Sequence, residues 1–83
     1  MASIVDKEIL KDNIDLINID ELSINKIKRC LNVFENPVLY IKKIILNENS
    51  KVIKNGRVYF ISLNNVMVSI DSVTYKILSA ALV

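Results

Sequence analysis

The sequence predicts an α+β fold in which N-terminal helices pack on a three-stranded antiparallel β-meander followed by a short C-terminal helix. Three observations predict it. Apolar residues recur at helical spacing over roughly the first half of the chain, the spacing shortens to two from Lys51 onward, and the pairs Asn36-Pro37 and Asn55-Gly56 punctuate the pattern. With 83 residues, one modest core is the expectation, so residues 1–83 read as a single domain.

Val5 and Ile9, with Leu10 and Ile14, are spaced as one face of a first helix capped by Ser3 or Asp6, whose side-chain oxygens accept first-turn N–H groups. Asp20 is placed to cap a second helix, with Glu21 in the first turn where the positive end of the dipole favours an acid. Leu22, Ile27, Cys30 and Leu31 follow at helical spacing, and the helix ends near Asn32. Asn36 then caps a third helix with Pro37 at its first position, where a missing N–H does no harm. Val38, Ile41, Ile44 and Ile45 form its buried stripe, and Asn47 stops it.

Residues 51–54 and 57–63 flank Asn55-Gly56, which predicts a hairpin through a type I′ turn with positive φ at both turn residues. Asn64-Asn65 makes a second tight turn into a strand over 66–71. Val58, Phe60, Val66, Val68 and Ile70 are the alternating core candidates, although Tyr59, Ile61 and Leu63 are apolar too. Residues 72–83 read as a helix capped by Asp71-Ser72 or as a fourth strand through Val73, Thr74, Tyr75 and Ile77, with the helix favoured.

Composition excludes several chemistries. A chain with no His and one Cys cannot build the usual Cys/His zinc site, and one Gly rules out the glycine-rich phosphate loops and the nucleophile elbow. Asp12, Asp15, Asp20 and Glu21 lack the glycine and spacing of a calcium loop and read as a solvated acidic face with helix caps. No catalytic residue, metal site or cofactor is expected. Cys30 cannot close an internal disulfide and reads as a small helix-face hydrophobe. That cysteine usage, with no apolar run near the roughly 20 residues of a spanning helix, predicts a cytoplasmic location without membrane association.

The net charge of +2 hides an asymmetry. Up to Leu22, six acids face two lysines for −4, whereas from Ser23 to Arg57 eight bases face two acids for +6. Lys26, Lys28 and Arg29 fall in the second helix, and Lys54 and Arg57 flank the hairpin turn. Tyr59 and Tyr75 add rings that can stack on a base. Charge holds phosphate and a π-face holds a base. Lys28, Arg29, Lys54, Arg57, Tyr59 and Tyr75 are therefore the candidate ligand-binding residues, against the plainer reading of a solvated helix face and core-rim tyrosines.

The stretches Asp20-Glu21-Leu22, Ile27-Lys28-Arg29-Cys30-Leu31, Lys54-Asn55-Gly56-Arg57-Val58-Tyr59, Val68-Ser69-Ile70-Asp71 and Thr74-Tyr75-Lys76-Ile77-Leu78, in this order, resemble DUF3781, a family of small bacterial and phage proteins of unknown function. The resemblance runs from about Glu8 to Ala81 and rests on order and spacing. It departs where several members end in Thr-Ala-His, because this chain has Ser79-Ala80-Ala81. It implies a compact α+β domain and a mobile-element origin, and supplies no activity.

The function expected from these observations is non-catalytic binding, as in a phage inhibitor of the anti-defence type that sequesters an anionic nucleotide or blocks a host protein. A small nucleic-acid-binding regulator and an obligate subunit of a larger complex are the alternatives. Self-association as a homodimer or higher oligomer is expected through the uncharged C-terminal end.

Overall fold

A computed structural model describes residues 4–82. Helices α1 (Ile4–Asp12), α2 (Glu21–Leu31) and α3 (Pro37–Leu46), with a 3-10 turn at Ile14–Leu16, precede strands β1 (Lys51–Asn55), β2 (Val58–Leu63), β3 (Val66–Asp71) and β4 (Ile77–Leu82). The strands form one antiparallel sheet in the order β1-β2-β3-β4, so each pairs with its neighbour in sequence. α1 packs against β1 and α2 against β4, while α3 contacts both other helices.

The pleat sends alternate side chains to opposite faces, and register decides which set is covered. Val52, Ile61, Val68 and Ala80 form one cross-strand row, and Tyr59, Ile70 and Ile77 belong to the next. All seven are buried, together with Leu10, Ile27, Leu31, Ile41 and Ile45 from the helices. The opposite face carries Ile53, Phe60 and Met67, each more than a third exposed. Val66, Val68 and Ile70 thus occupy the expected core positions on β3. On β2 the expectation is reversed: Tyr59 and Ile61 face the core, while Val58 and Phe60 lie on the other side. Both alternating sets on β2 are apolar, so only the pairing with β1 and β3 selects between them.

The helix faces show the same division. In α1 the core residue is Leu10, fully buried, while Val5 and Ile9 are exposed. Lys7 lies one turn before Leu10, and its Nζ donates to the Asn47 and Ser50 carbonyls at 2.8 and 2.7 Å. The ammonium therefore closes the C-terminal end of α3, where the negative end of the dipole favours a cation. Ile14 falls in the 3-10 turn rather than in α1, and the Ser3 cap lies outside the described residues. In α2 the buried residues are Ile27 and Leu31, whereas Leu22 and Cys30 are exposed. Asp20 occupies the N-cap position without a side-chain cap bond, and its carboxylate pairs with Lys76 at 3.1 Å instead. α3 follows the expectation: the Val38 N–H donates to Asn36 Oδ1 at 2.8 Å, Pro37 stands in the first turn, and Asn47 ends the helix.

Both hairpin turns have two-residue loops, since Asn55 pairs with Val58 and Leu63 with Val66. Gly56 (φ 61°) and Asn64 (φ 54°) have positive φ, and their neighbours in the loops do not. The first loop is therefore Gly56-Arg57, with the glycine leading as in a type II′ turn, in place of the predicted I′ turn.

The largest departure lies after Asp71. The predicted C-terminal helix is a fourth strand, so the sheet has four strands and the described chain ends in β4. Residues 77–82, Ile-Leu-Ser-Ala-Ala-Leu, carry no strong strand preference, and pairing with β3 overrides local propensity. Without β4, the open side of β3 and the buried face of α2 would lose their partner. No helix among the described residues is long and apolar enough to cross a membrane.

The two faces of β2 make an internal comparison. Ile61→Ala is expected to cost about 2–5 kcal/mol in urea denaturation. Phe60→Ala is expected to cost less than half as much, because its ring is already partly in water. Equal losses would place the core on the wrong face.

Candidate functional site

The six residues singled out by sequence divide into two groups. Lys28 and Arg29 lie in the last turn of α2, at a cleft of about 390 Å³ lined by Asn25, Lys28, Arg29, Asn32, Val33 and Phe34. Lys54, Arg57, Tyr59 and Tyr75 do not line it. Lys26, although three residues from Arg29, does not line it either.

The cleft grows out of the way α2 ends. Asn25, Lys28, Arg29 and Asn32 have the spacing i, i+3, i+4, i+7, which places them on one helix face, turned away from the face that buries Ile27 and Leu31. Asn32 takes the left-handed conformation (φ 55°, ψ 48°), which asparagine tolerates well. Its N–H donates to the Arg29 carbonyl at 3.3 Å, and the Val33 N–H donates to the Lys28 carbonyl at 3.0 Å. This reversal lets Val33 pack on the core and leaves Phe34 97% exposed at the cleft rim.

Among the described residues, neither the Lys28 nor the Arg29 side chain makes an ion pair or hydrogen bond. Within the same basic segment Lys43 pairs with Glu35 at 2.9 Å and Arg57 with Asp71 at 3.0 Å. Lys26, Lys42 and Lys51, like Lys28 and Arg29, make no ion pair or side-chain hydrogen bond among the described residues, so it is their position at the cleft that sets Lys28 and Arg29 apart. Asn25, Asn32 and Phe34 were not anticipated from sequence. The helical spacing of Asn25 with Lys28 and Arg29 was a usable signal, whereas nothing in Val33-Phe34-Glu35 announces an unburied ring.

The second group lies around the β3–β4 turn and the Tyr59 ring. Asp71 is its hub, with a side chain only 15% exposed. Its Oδ1 accepts the Val73 and Thr74 N–H groups at 2.7 and 2.9 Å, and its carboxylate receives Arg57 Nε. The Tyr75 N–H donates to the Asp71 carbonyl at 2.9 Å, and Tyr75 sits at φ 59°, an unusual position for a bulky residue. Asn18 holds the far side, its N–H donating to the Tyr75 carbonyl at 3.0 Å and its side-chain amide to the Thr74 carbonyl at 2.8 Å.

Tyr59 is buried, with its ring centroid 6.5 Å from that of Tyr75 and Lys54 Nζ 5.9 Å above it. Burial pushes its phenol above the ordinary value of 10.0, and nearby Tyr75 and Asp6 add to the shift. A ring enclosed in this way is not available for stacking on a ligand. Among the described residues no group of three or more His, Cys, Asp or Glu side chains is placed to hold a metal ion.

Backbone bonds from Thr74 and Val73, then the Arg57 guanidinium, hold the Asp71 carboxyl below its ordinary value of 3.8. A lowered acid contributes stability that is complete above the unfolded-state value and lost as pH falls through the folded value. Asp71→Asn is therefore expected to lower the melting temperature at pH 7 and to flatten its fall below about pH 4. Parallel acid profiles for the two proteins would contradict this role. Comparison with protein families, curated proteins and solved structures finds no match to this chain.

Proposed function

We propose that this chain is a small non-catalytic binding protein that holds an anionic, nucleotide-like ligand in the cleft at the C-terminal end of α2. The observation that supports this reading is the meeting in one cleft of two cations without ion pairs among the described residues, two side-chain amides and a nearly fully exposed phenyl ring. Arg29 offers a planar fork for phosphate oxygens, Lys28 a mobile point charge, and Phe34 a face on which a base can stack. A volume of about 390 Å³ falls within the range of small-molecule sites.

The opposing effect is the helix dipole, since a helix C-terminus repels anions. Its magnitude is roughly half a charge, against two full cationic charges. The carbonyls of Lys28 and Arg29 are also already occupied by the Asn32 and Val33 N–H groups. The cations dominate.

A nucleic-acid regulator would need its cations along one track. Arg57 is held instead by Asp71 in the β3–β4 turn, Lys54 lies over the Tyr59 ring, and the net charge is only +2. Obstruction of a host protein, the action of an anti-defence inhibitor, is favoured by a separate observation. Leu22 on the same helix is 98% exposed and lies outside the cleft lining, so a small ligand leaves it uncovered.

Isothermal titration against linear and cyclic nucleotides tests the first reading. Lys28→Glu and Arg29→Glu are each expected to weaken binding roughly tenfold or more, and Phe34→Ala about tenfold. Lys54→Glu is expected to leave affinity unchanged. Absence of heat with every nucleotide, or affinity indifferent to Lys28→Glu and Arg29→Glu, rejects the cleft as the site.

A further inference from the structure

We propose that two copies of this chain associate through their β4 strands, joined antiparallel about a twofold axis so that two four-stranded sheets become one of eight strands. β4 is an edge strand of the sheet. Only its start is tied on the outer side, where the Ile77 N–H donates to the Asn18 carbonyl at 2.8 Å. Beyond Ile77, among the described residues, no backbone group of β4 bonds to a segment other than β3. An open edge invites a strand, and folded proteins normally guard such edges with lysine, proline or an inward charge.

The two edges of this sheet differ in that respect. β1 carries Lys51 and Lys54, and a symmetric pairing centred between Val52 and Ile53 would set Lys51 of each copy against Lys54 of the other. Like charges directly opposed are destabilising. β4 reads Ile-Leu-Ser-Ala-Ala-Leu, with no charge, proline or glycine. Centring its pairing on Ala80 sets Ser79 opposite the partner's Ala81 within the regular part of β4, beyond the irregularity at Leu78. Leu78 and Leu82 are 49% and 46% exposed in the single chain, so the seam runs along apolar surface that is otherwise in water. The uncharged edge of β4 therefore favours a second copy there, whereas the two lysines of β1 disfavour one at the other edge.

Sedimentation equilibrium of the intact chain tests the arrangement. A dimer is expected at about 100 μM, with Leu78→Lys and Ala81→Lys each raising the dissociation constant at least roughly tenfold. Ala81 is exposed on the face away from the helices, so Ala81→Lys keeps the test sharp if Leu78→Lys unfolds; unchanged far-ultraviolet circular dichroism confirms the fold. A wild-type chain that stays monomeric up to about 1 mM overturns the proposal. So does a dimer that survives both lysines but is lost in Phe60→Lys or Met67→Lys, which would assign association to the outer sheet face.

Discussion

The architecture depends on the turn that Asp71 organises. Its carboxylate gathers two backbone N–H groups and a guanidinium, and its carbonyl takes a third N–H from Tyr75. Those bonds hold a bulky residue at positive φ and send the chain back along β3 as β4. Backbone strain of this kind is of order 1–3 kcal/mol and survives only where the surroundings over-determine it. Asn18, reaching in from the helical half, supplies the remaining constraint on the Thr74 and Tyr75 carbonyls.

The seating of α2 depends on that turn in its own right. β4 gives α2 a surface on which to pack, with small Ala80 beneath it and Ile27 and Leu31 turned inward. Seating that face inward turns Asn25, Lys28, Arg29 and Asn32 to one side. The left-handed Asn32 then folds Val33 back to the core and leaves Phe34 in water. The cleft is thus a by-product of how one helix is seated and ended, and its cations stay without ion pairs while Asp71 and Glu35 hold Arg57 and Lys43.

The legible parts of the fold were those with a local cause. Asn36-Pro37 announces a helix start because the cap and the fixed φ act within three residues, and the two turns announce themselves through Gly56 and the paired asparagines. The face of β2 was illegible because 58–63 is apolar on both sides, leaving register to distant partners. A fourth strand is open to the sequence through Val73, Thr74, Tyr75 and Ile77, but the helix is favoured and the strand falls later, at Ile77–Leu82. Those six residues suit a helix equally well, and the entry uses a tyrosine where sequence logic looks for glycine. Of the candidate site, Lys28 and Arg29 are readable as neighbouring helix cations. The separation of Lys54, Arg57, Tyr59 and Tyr75 from them was not, since it arises from Asp71 and from burial of the Tyr59 ring. Lys7, which reads as an ordinary helix lysine, closes the end of α3 through carbonyls about 40 residues away.

The cleft proposed as the ligand site, at the end of α2, and the hairpin cluster around Asp71 occupy different parts of the chain, and amide chemical shifts separate the two. Titrating the 15N-labelled chain with adenosine monophosphate is predicted to move the resonances of residues 25–34, together with the side-chain amides of Asn25 and Asn32, while those of residues 54–59 and 71–76 stay in place. Shifts concentrated at Lys54, Arg57 and Tyr75 with a silent α2 would contradict that division.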